Sequence, residues 1–236
     1  MQHKHVFIAG LHRSGTSLLH QMICEYEQVS GFADTGVPED EGQHLQDVFP
    51  AANEFGGAGE FSFHPECYMD ENHPLVSKKT YDILMEQWGN HWDMSCPILA
   101  EKSPPTMIRS RFFQALFPES YFILIRRHPI AVSMATSKWN DAPLPELLAH
   151  WVNAQQLMEG DVGRLRHVLE LTYEDLTQEP EETMVKVEAF LGLPHRKQGK
   201  EIKTGINDKY ISAWNEKAPE ISDDIVKQCK RFGYDI

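Results

Sequence analysis

The chain reads as an α/β protein, a three-layer arrangement with helices on both faces of a central parallel sheet. Three observations predict this. Short apolar runs alternate along the chain with stretches of helical periodicity, the pattern of strand–helix–strand units. The runs are apolar throughout rather than alternately polar, as strands covered on both faces are. The first run, His5 to Ala9, ends at Gly10 and passes through a glycine-flanked loop straight into a helical pattern. A length of 236 residues suits one domain, read as spanning 1–236.

The elements follow in order. His5 to Ala9 is a buried strand, and Thr16 to Tyr26 is a helix with Leu18, Leu19, Met22, Ile23 and Tyr26 at helical spacing. Residues 30–73 are rich in Gly, Pro, Asp, Glu and His; Pro38 to Phe49 has room for a short helix. Ala52 to His73 reads as irregular and is long for a loop, which suits a lid, an acceptor-site loop or an ordinary surface excursion. Pro74 to Trp92 is a helix opened by proline. Pro97 to Ala100 is a second strand, Thr106 to Phe117 a helix, and Tyr121 to Ile125 the clearest buried strand. Pro129 to Trp139 and Pro145 to Glu159 are helices, and Val168 to Leu171 is a fourth strand. Pro180 to Leu191 is a helix stopped by Gly192 and Pro194, and Ser222 to Arg231 is the last helix.

Composition narrows the function classes. With 22 basic and 35 acidic residues the formal charge is −13, which repels phosphate backbones and anionic membranes, so no nucleic-acid partner is expected. An anionic ligand then needs a local basic pocket, and a neutral acceptor fits better than a polyanionic one. Cys24, Cys67, Cys96 and Cys229 form no CxxC pair, so free thiols are expected. Met1 to His5 runs directly into the first strand, and no apolar run approaches membrane-spanning length. These features predict a cytoplasmic protein without a membrane span. His3-x-His5 and His64-x-x-Cys67 have no completing pair at ligand spacing, so no metal site is indicated.

The loop Gly10-Leu11-His12-Arg13-Ser14-Gly15-Thr16-Ser17 has P-loop-like G-x-x-x-x-G spacing between a strand and a helix. Its glycines allow a tight turn, the helix N-terminus offers N–H groups to an anion, Arg13 adds a fixed positive fork and Thr16 and Ser17 add hydroxyls. Thr16 stands where a nucleoside triphosphatase needs lysine, and Arg126-Arg127 follows the strand where a magnesium-binding carboxylate would stand. Both departures count against a P-loop kinase of small molecules.

Gly10 to Leu19 resembles the 5'-phosphosulfate loop of the sulfotransferases, closest to the Arg-Ser-Gly-Thr-Thr form of tyrosylprotein sulfotransferases and related bacterial enzymes. Four further segments resemble that family in the same order, and a fifth does so only vaguely. Tyr121 to Trp139 resembles its 3'-phosphate motif, which implies that Arg127 contacts the phosphate distinguishing 3'-phosphoadenosine 5'-phosphosulfate (PAPS) from ordinary nucleotides. The family's serine eight residues later is Ala135 here, so Ser133 takes that place, with Ser137 as the other choice. Leu99 to Pro105 resembles the Glu-Lys-Ser segment of glycosaminoglycan sulfotransferases, giving Lys102 the charge on the sulfuryl group; the plainer reading is an exposed Glu101–Lys102 ion pair. Pro38 to His44 supplies the acidic segment after the first helix, from which Glu41 or Glu39 would act as general base, with His44 as competitor. Leu171 to Leu176 resembles the Tyr-Glu-Asp segment, placing Tyr173 beside the adenine, and Lys209 to Trp214 vaguely resembles the closing segment near the 3'-phosphate.

The resemblance implies a PAPS-dependent transferase that uses no metal, with Arg13, Ser14, Gly15, Thr16, Ser17, Arg127, Ser133 and Tyr173 holding the donor. Glu41 or Glu39, Lys102 and Arg13 would carry the chemistry on a small-molecule or glycan hydroxyl, or an amine. A non-catalytic nucleotide-binding relative is the other alternative. The acceptor's identity and the oligomeric state are not legible.

Overall fold

Five parallel strands form one sheet in the order β2–β3–β1–β4–β5: β1 (Lys4–Ala9), β2 (Val29–Gly31), β3 (Ile98–Lys102), β4 (Tyr121–Arg126) and β5 (Val168–Thr172). The computed structural model describes residues 3–197, 199 and 202–236. Central β1 pairs with β3 on one side and β4 on the other.

Strand alternation sorts the side chains into two layers. Val6, Ile8, Ile98, Ala100, Ile123 and Ile125 face one cluster, against Leu19, Met22 and Ile23 of α1 (Thr16–Ile23) and Met184, Val187 and Leu191 of α7 (Pro180–Leu191). Phe7, Ala9, Leu99, Phe122 and Leu124 face the other. There they meet Leu84 and Trp88 of α2 (Lys78–Gly89), Phe112 and Phe113 of α3 (Ser110–Leu116), and Leu148 and Trp151 of α5 (Leu144–Val162). Each such large apolar side chain contributes about 1.5–3 kcal/mol on burial. Helices therefore cover both faces, as the apolar runs predict. The remaining helices are α4 (Pro129–Thr136), α6 (Tyr173–Gln178), α8 (Ile206–Lys217) and α9 (Asp223–Arg231).

Four strands match the sequence expectation; three-residue β2 is an addition at the sheet edge. The helix expected over 38–49 is instead two 3₁₀ turns, Pro38–Asp40 and Gly42–His44, split at Glu41, whose backbone is extended (φ −87°, ψ 130°). The helix expected over 106–117 starts as a 3₁₀ turn, Pro104–Ile108, before α3. Helices α6 and α8 were not anticipated.

The segment 52–73 is a fixed wall. Phe61 and Cys67 are fully buried, and the segment carries three 3₁₀ turns, Ala52–Phe55, Phe61–Phe63 and Pro65–Cys67. Arg109, only 1% exposed, donates from Nε to the Cys67 carbonyl (2.8 Å) and from Nη1 to the Pro50 carbonyl (3.0 Å). Arg111 binds Asp161 (3.1 Å), the Tyr68 hydroxyl (3.0 Å) and Glu71. Two buried guanidinium groups thus satisfy backbone and side-chain groups that a structureless loop would leave to water. This is at odds with a lid that opens as a unit.

From β1 the chain moves out to β2, returns through β3 and then crosses to β4 on the far side of β1. The carboxyl ends of β1, β3 and β4 therefore border the switch point at which open α/β sheets bind ligands.

Candidate active site

The loop after β1 is shaped by close approaches. A Cβ on Gly10 would lie 2.2 Å from the Ile125 carbonyl oxygen of neighbouring β4. Gly15 caps α1 at φ +97°, and a Cβ there would also meet the Tyr173 ring at 2.6 Å. Arg13 adopts φ 69°, a left-handed conformation that costs an L-residue roughly 1–2 kcal/mol. It is held there by Arg127, whose Nη1 donates to the Arg13 carbonyl at 2.7 Å. Backbone strain braced by a second arginine is the kind of feature that clusters at ligand sites.

These residues open on a cavity of about 200 Å³ lined by His12, Arg13, Gly15, Thr16, Ser17, Glu39, Glu41, Pro104, Arg127 and Trp139. Seven of the residues picked out in the sequence, from three separate stretches of chain, share its wall with three that were not. Arg127 is 6% exposed; its Nε donates to Asn207 of α8 (2.9 Å), while Nη2 is buried without a partner. Its guanidinium lies 4.0 Å from the Tyr173 ring centroid, so Tyr173 packs between Gly15 and Arg127. Arg13 stacks on Trp139 at 4.4 Å. Ser14 is enclosed behind the loop, its Oγ unpartnered.

Beside the cavity, Lys102 and Glu41 form a buried ion pair. Nζ of Lys102 donates to a Glu41 oxygen at 3.2 Å and to the Glu39 carbonyl at 2.7 Å. Burial pushes the Glu41 carboxyl up, against the pull of the Lys102 ammonium. The plainer reading of an exposed Glu101–Lys102 pair does not describe the protein: both residues are 1% exposed. Successive strand residues point to opposite faces, and Glu101 is bonded to the Ser103 hydroxyl, which in turn accepts from the Gln43 N–H at 3.0 Å. Burial drives the Glu101 carboxyl up to about 8. Glu39, by contrast, is exposed at φ 53° and accepts from the Ser17 hydroxyl at 3.3 Å.

Other expected residues lie off the cavity. Ser133 is fully enclosed on α4 with its Oγ unpartnered; Ser137 is exposed at the end of α4 and bonds the Met134 carbonyl (3.1 Å). His44 lies 3.9 Å from Glu41 and lines an outer cleft. Arg126 turns away to Gln155 (2.9 Å) and Glu170 (3.5 Å). The segment 209–214 falls within α8, which carries Asn207 and Tyr210 to Arg127. His12, Trp139 and Asn207 were missed. The cue for His12 was in view, since it stands beside Arg13 in the loop; Asn207 comes from the far end of the chain and had none.

A model described as "Sulfotransferase family" matches residues 5–197. Protein-tyrosine sulfotransferase 2 of Gallus gallus is 26% identical over 201 residues, covering 80% of this chain and 51% of the relative. Protein-tyrosine sulfotransferase A of Caenorhabditis elegans is 25% identical over 279 residues, covering 98% of this chain and 67% of the relative. The chain thus spans about half the length of the first relative. Among solved structures, the sulfotransferase domain of the Synechococcus olefin synthase has a TM-score of 0.63 at 17% identity, covering 100% of this chain and 97% of that one, a likeness of fold.

Proposed function

The chain belongs to the sulfotransferase family, and on that premise we propose that it transfers the sulfuryl group of PAPS to a hydroxyl or amine acceptor. One observation carries the reading: Arg13 and Arg127, from different elements, open on one small cavity whose wall also holds Glu41, ion-paired to buried Lys102. The residues present suit the donor. The free N–H groups at the start of α1 and the Arg13 fork suit a 5'-phosphosulfate. The unpartnered Nη2 of Arg127 suits a 3'-phosphate. Thr16 and Ser17 line the same wall, with Ser14 behind the loop and Tyr173 packed under Arg127 for the nucleoside. Ser133, enclosed on α4 with its hydroxyl unpartnered, is the serine left for the 3'-phosphate.

The reaction is an in-line displacement. The acceptor O–H proton passes to the Glu41 carboxylate as the oxygen attacks sulfur. The bond from sulfur to the bridging oxygen breaks, and its electron pair leaves on the 5'-phosphate of adenosine 3',5'-bisphosphate. Lys102, Arg13 and the loop N–H groups meet the charge developing there. Glu41 is favoured over Glu39 as base because it is buried beside Lys102 while Glu39 faces solvent. No metal is needed for these steps. The acceptor is a small-molecule or glycan hydroxyl; the names of the two curated relatives add tyrosine phenols to the panel worth testing.

Among the described residues no helix is long and apolar enough to cross a membrane. We place the protein in the cytoplasm, a reading supported by four cysteines that are all free thiols. The test is incubation with sulfur-labelled PAPS and a panel of sugars, phenols, lipid alcohols and tyrosine peptides, with labelled products identified by mass. Transfer of label to one class supports the reading. Turnover of magnesium-ATP in its place would favour a small-molecule kinase, and nucleotide binding without any transfer would favour a non-catalytic relative.

A further inference from the structure

Among the polar groups that line the cavity, His12 is one that the donor assignment leaves unused. It stands beside Arg13, and its Nδ1 is enclosed without a hydrogen-bond partner. The ring stands edge-on to Phe61, with centroids 5.8 Å apart, and fully buried Phe61 is in turn edge-on to His150 at 4.9 Å. The imidazole is therefore seated against the fixed 52–73 wall. An enclosed N–H lacking an acceptor is rarer in proteins than an acceptor with an unused lone pair. The proton accordingly belongs on Nε2, the nitrogen left to meet a group bound in the cavity.

The groups around the ring come from every side. Lys102 on β3, His44 in the Gly42–His44 turn and Arg13 in its own loop act on it through their charge, and it couples in the same way to His150 on α5. Burial first, then Lys102, His44 and Arg13, hold the imidazole down to about 3, so it is neutral at working pH. A neutral imidazole of this kind is a poor base and a well-fixed donor. Lys102 and His44 also mark the Glu41 end of the cavity, where Glu41 meets both, rather than the Arg127 end.

We propose that His12 is a further catalytic residue, its Nε2–H donating a hydrogen bond to a non-bridging oxygen of the transferring sulfuryl group; this rests on the sulfotransferase reading. No bond forms or breaks at the imidazole, and its proton stays on Nε2 throughout. A preorganised neutral donor adds stabilisation where charge redistributes without a third full positive charge beside Arg13 and Lys102.

The experiment compares wild type, His12→Ala and His12→Gln in transfer from PAPS to the acceptor found above, or to water where none is found. Binding of adenosine 3',5'-bisphosphate, which lacks the sulfuryl group, is measured alongside. For His12→Ala, kcat falls by about 10²–10³, while bisphosphate affinity stays within about twofold and the loss is constant from about pH 6 to 9. His12→Gln, which retains an N–H donor, recovers part of the rate. Wild-type kcat in His12→Ala, an equal loss of bisphosphate affinity, or a loss confined to one limb of the pH profile would each overturn the assignment alone. Absence of transfer by the wild-type protein would overturn the sulfotransferase reading and this assignment with it.

Discussion

Arg127→Ala tests the donor assignment most directly. Of its guanidinium nitrogens, Nε is taken by Asn207 and Nη1 by the Arg13 carbonyl, which leaves buried Nη2 for a 3'-phosphate. One charge-assisted hydrogen bond contributes about 1.5–3 kcal/mol, or about 10- to 150-fold in affinity. The same substitution removes the brace on Arg13, so binding at the 5' end weakens as well. The quantity to read is therefore a ratio. Calorimetric titration with adenosine 3',5'-bisphosphate and with 5'-AMP, which lacks the 3'-phosphate, should show about tenfold or more greater loss for the bisphosphate. The variant also strands the Arg13 carbonyl and the Asn207 amide oxygen, at roughly 1–3 kcal/mol of stability each if they stay dry. Titrations accordingly belong well below its melting temperature. Arg127→Lys restores charge without the fork and should recover only part of the ratio. Equal losses for the two nucleotides would refute a 3'-phosphate contact and leave Arg127 as a brace for the loop.

Four further outcomes follow from the same geometry. Lys102→Ala should lower turnover by about 10²–10³ with bisphosphate affinity nearly unchanged, as steady-state rates beside titration will show. Glu41→Gln should cost about 10²–10⁴ in kcat while Glu39→Gln stays near wild type; because burial raises the Glu41 carboxyl above its ordinary 4.5, the acid limb of kcat/KM should lie above that value and vanish in Glu41→Gln. Gly15→Ala should abolish bisphosphate binding, since its Cβ meets both a positive φ and the Tyr173 ring at 2.6 Å. Glu101 titrates near 8 when folded against an ordinary 4.5, so the folded state holds that proton more tightly and stability falls by about 1.4 kcal/mol per pH unit as pH rises between them; melting curves across pH should flatten in Glu101→Gln.

The sheet was legible because four of its strands are unbroken apolar runs, and continuous burial on both faces leaves that mark in a sequence. Edge strand β2 escaped because Val29-Ser30-Gly31 is too short to carry a pattern and owes its conformation to pairing with β3. Helix α8 went unread although Ile206, Tyr210, Ala213 and Trp214 stand at helical spacing; of these only Trp214 is buried, and polar residues fill the rest of the segment. The 52–73 wall could not be read locally, since what orders it is Arg109 and Arg111, some forty residues away in sequence. Of the site, the loop and Arg127 were marked by glycines and by a charged end on a buried strand. The convergence of Glu41 on Lys102, bonded across 61 residues, needed the fold. So did the different settings of Glu39 and Glu41, a left-handed turn at Glu39 and an extended residue at Glu41.

The charge count around Lys102 suggests how base and electrophile cooperate in the proposed reaction. Two buried carboxyls, Glu41 and Glu101, share the neighbourhood of one buried ammonium. Glu101 is held up to about 8 and bonded to Ser103, while Glu41 is the carboxyl that touches Lys102 and, in the proposed reaction, the one that carries the negative charge. Two of the three ammonium protons are engaged, by Glu41 and by the Glu39 carbonyl, which leaves the third for an oxygen of the transferring group. As Glu41 takes the acceptor proton its negative charge disappears, and the electrostatic hold on Lys102 passes to the leaving oxygen as that oxygen becomes charged. The total charge in the buried site is then the same before and after proton transfer, so no net charge has to be desolvated at the moment of reaction. In the proposed reaction that constancy would let a lysine already paired with Glu41 serve the leaving group, whereas a charged Glu101 would add a second anion competing for Lys102.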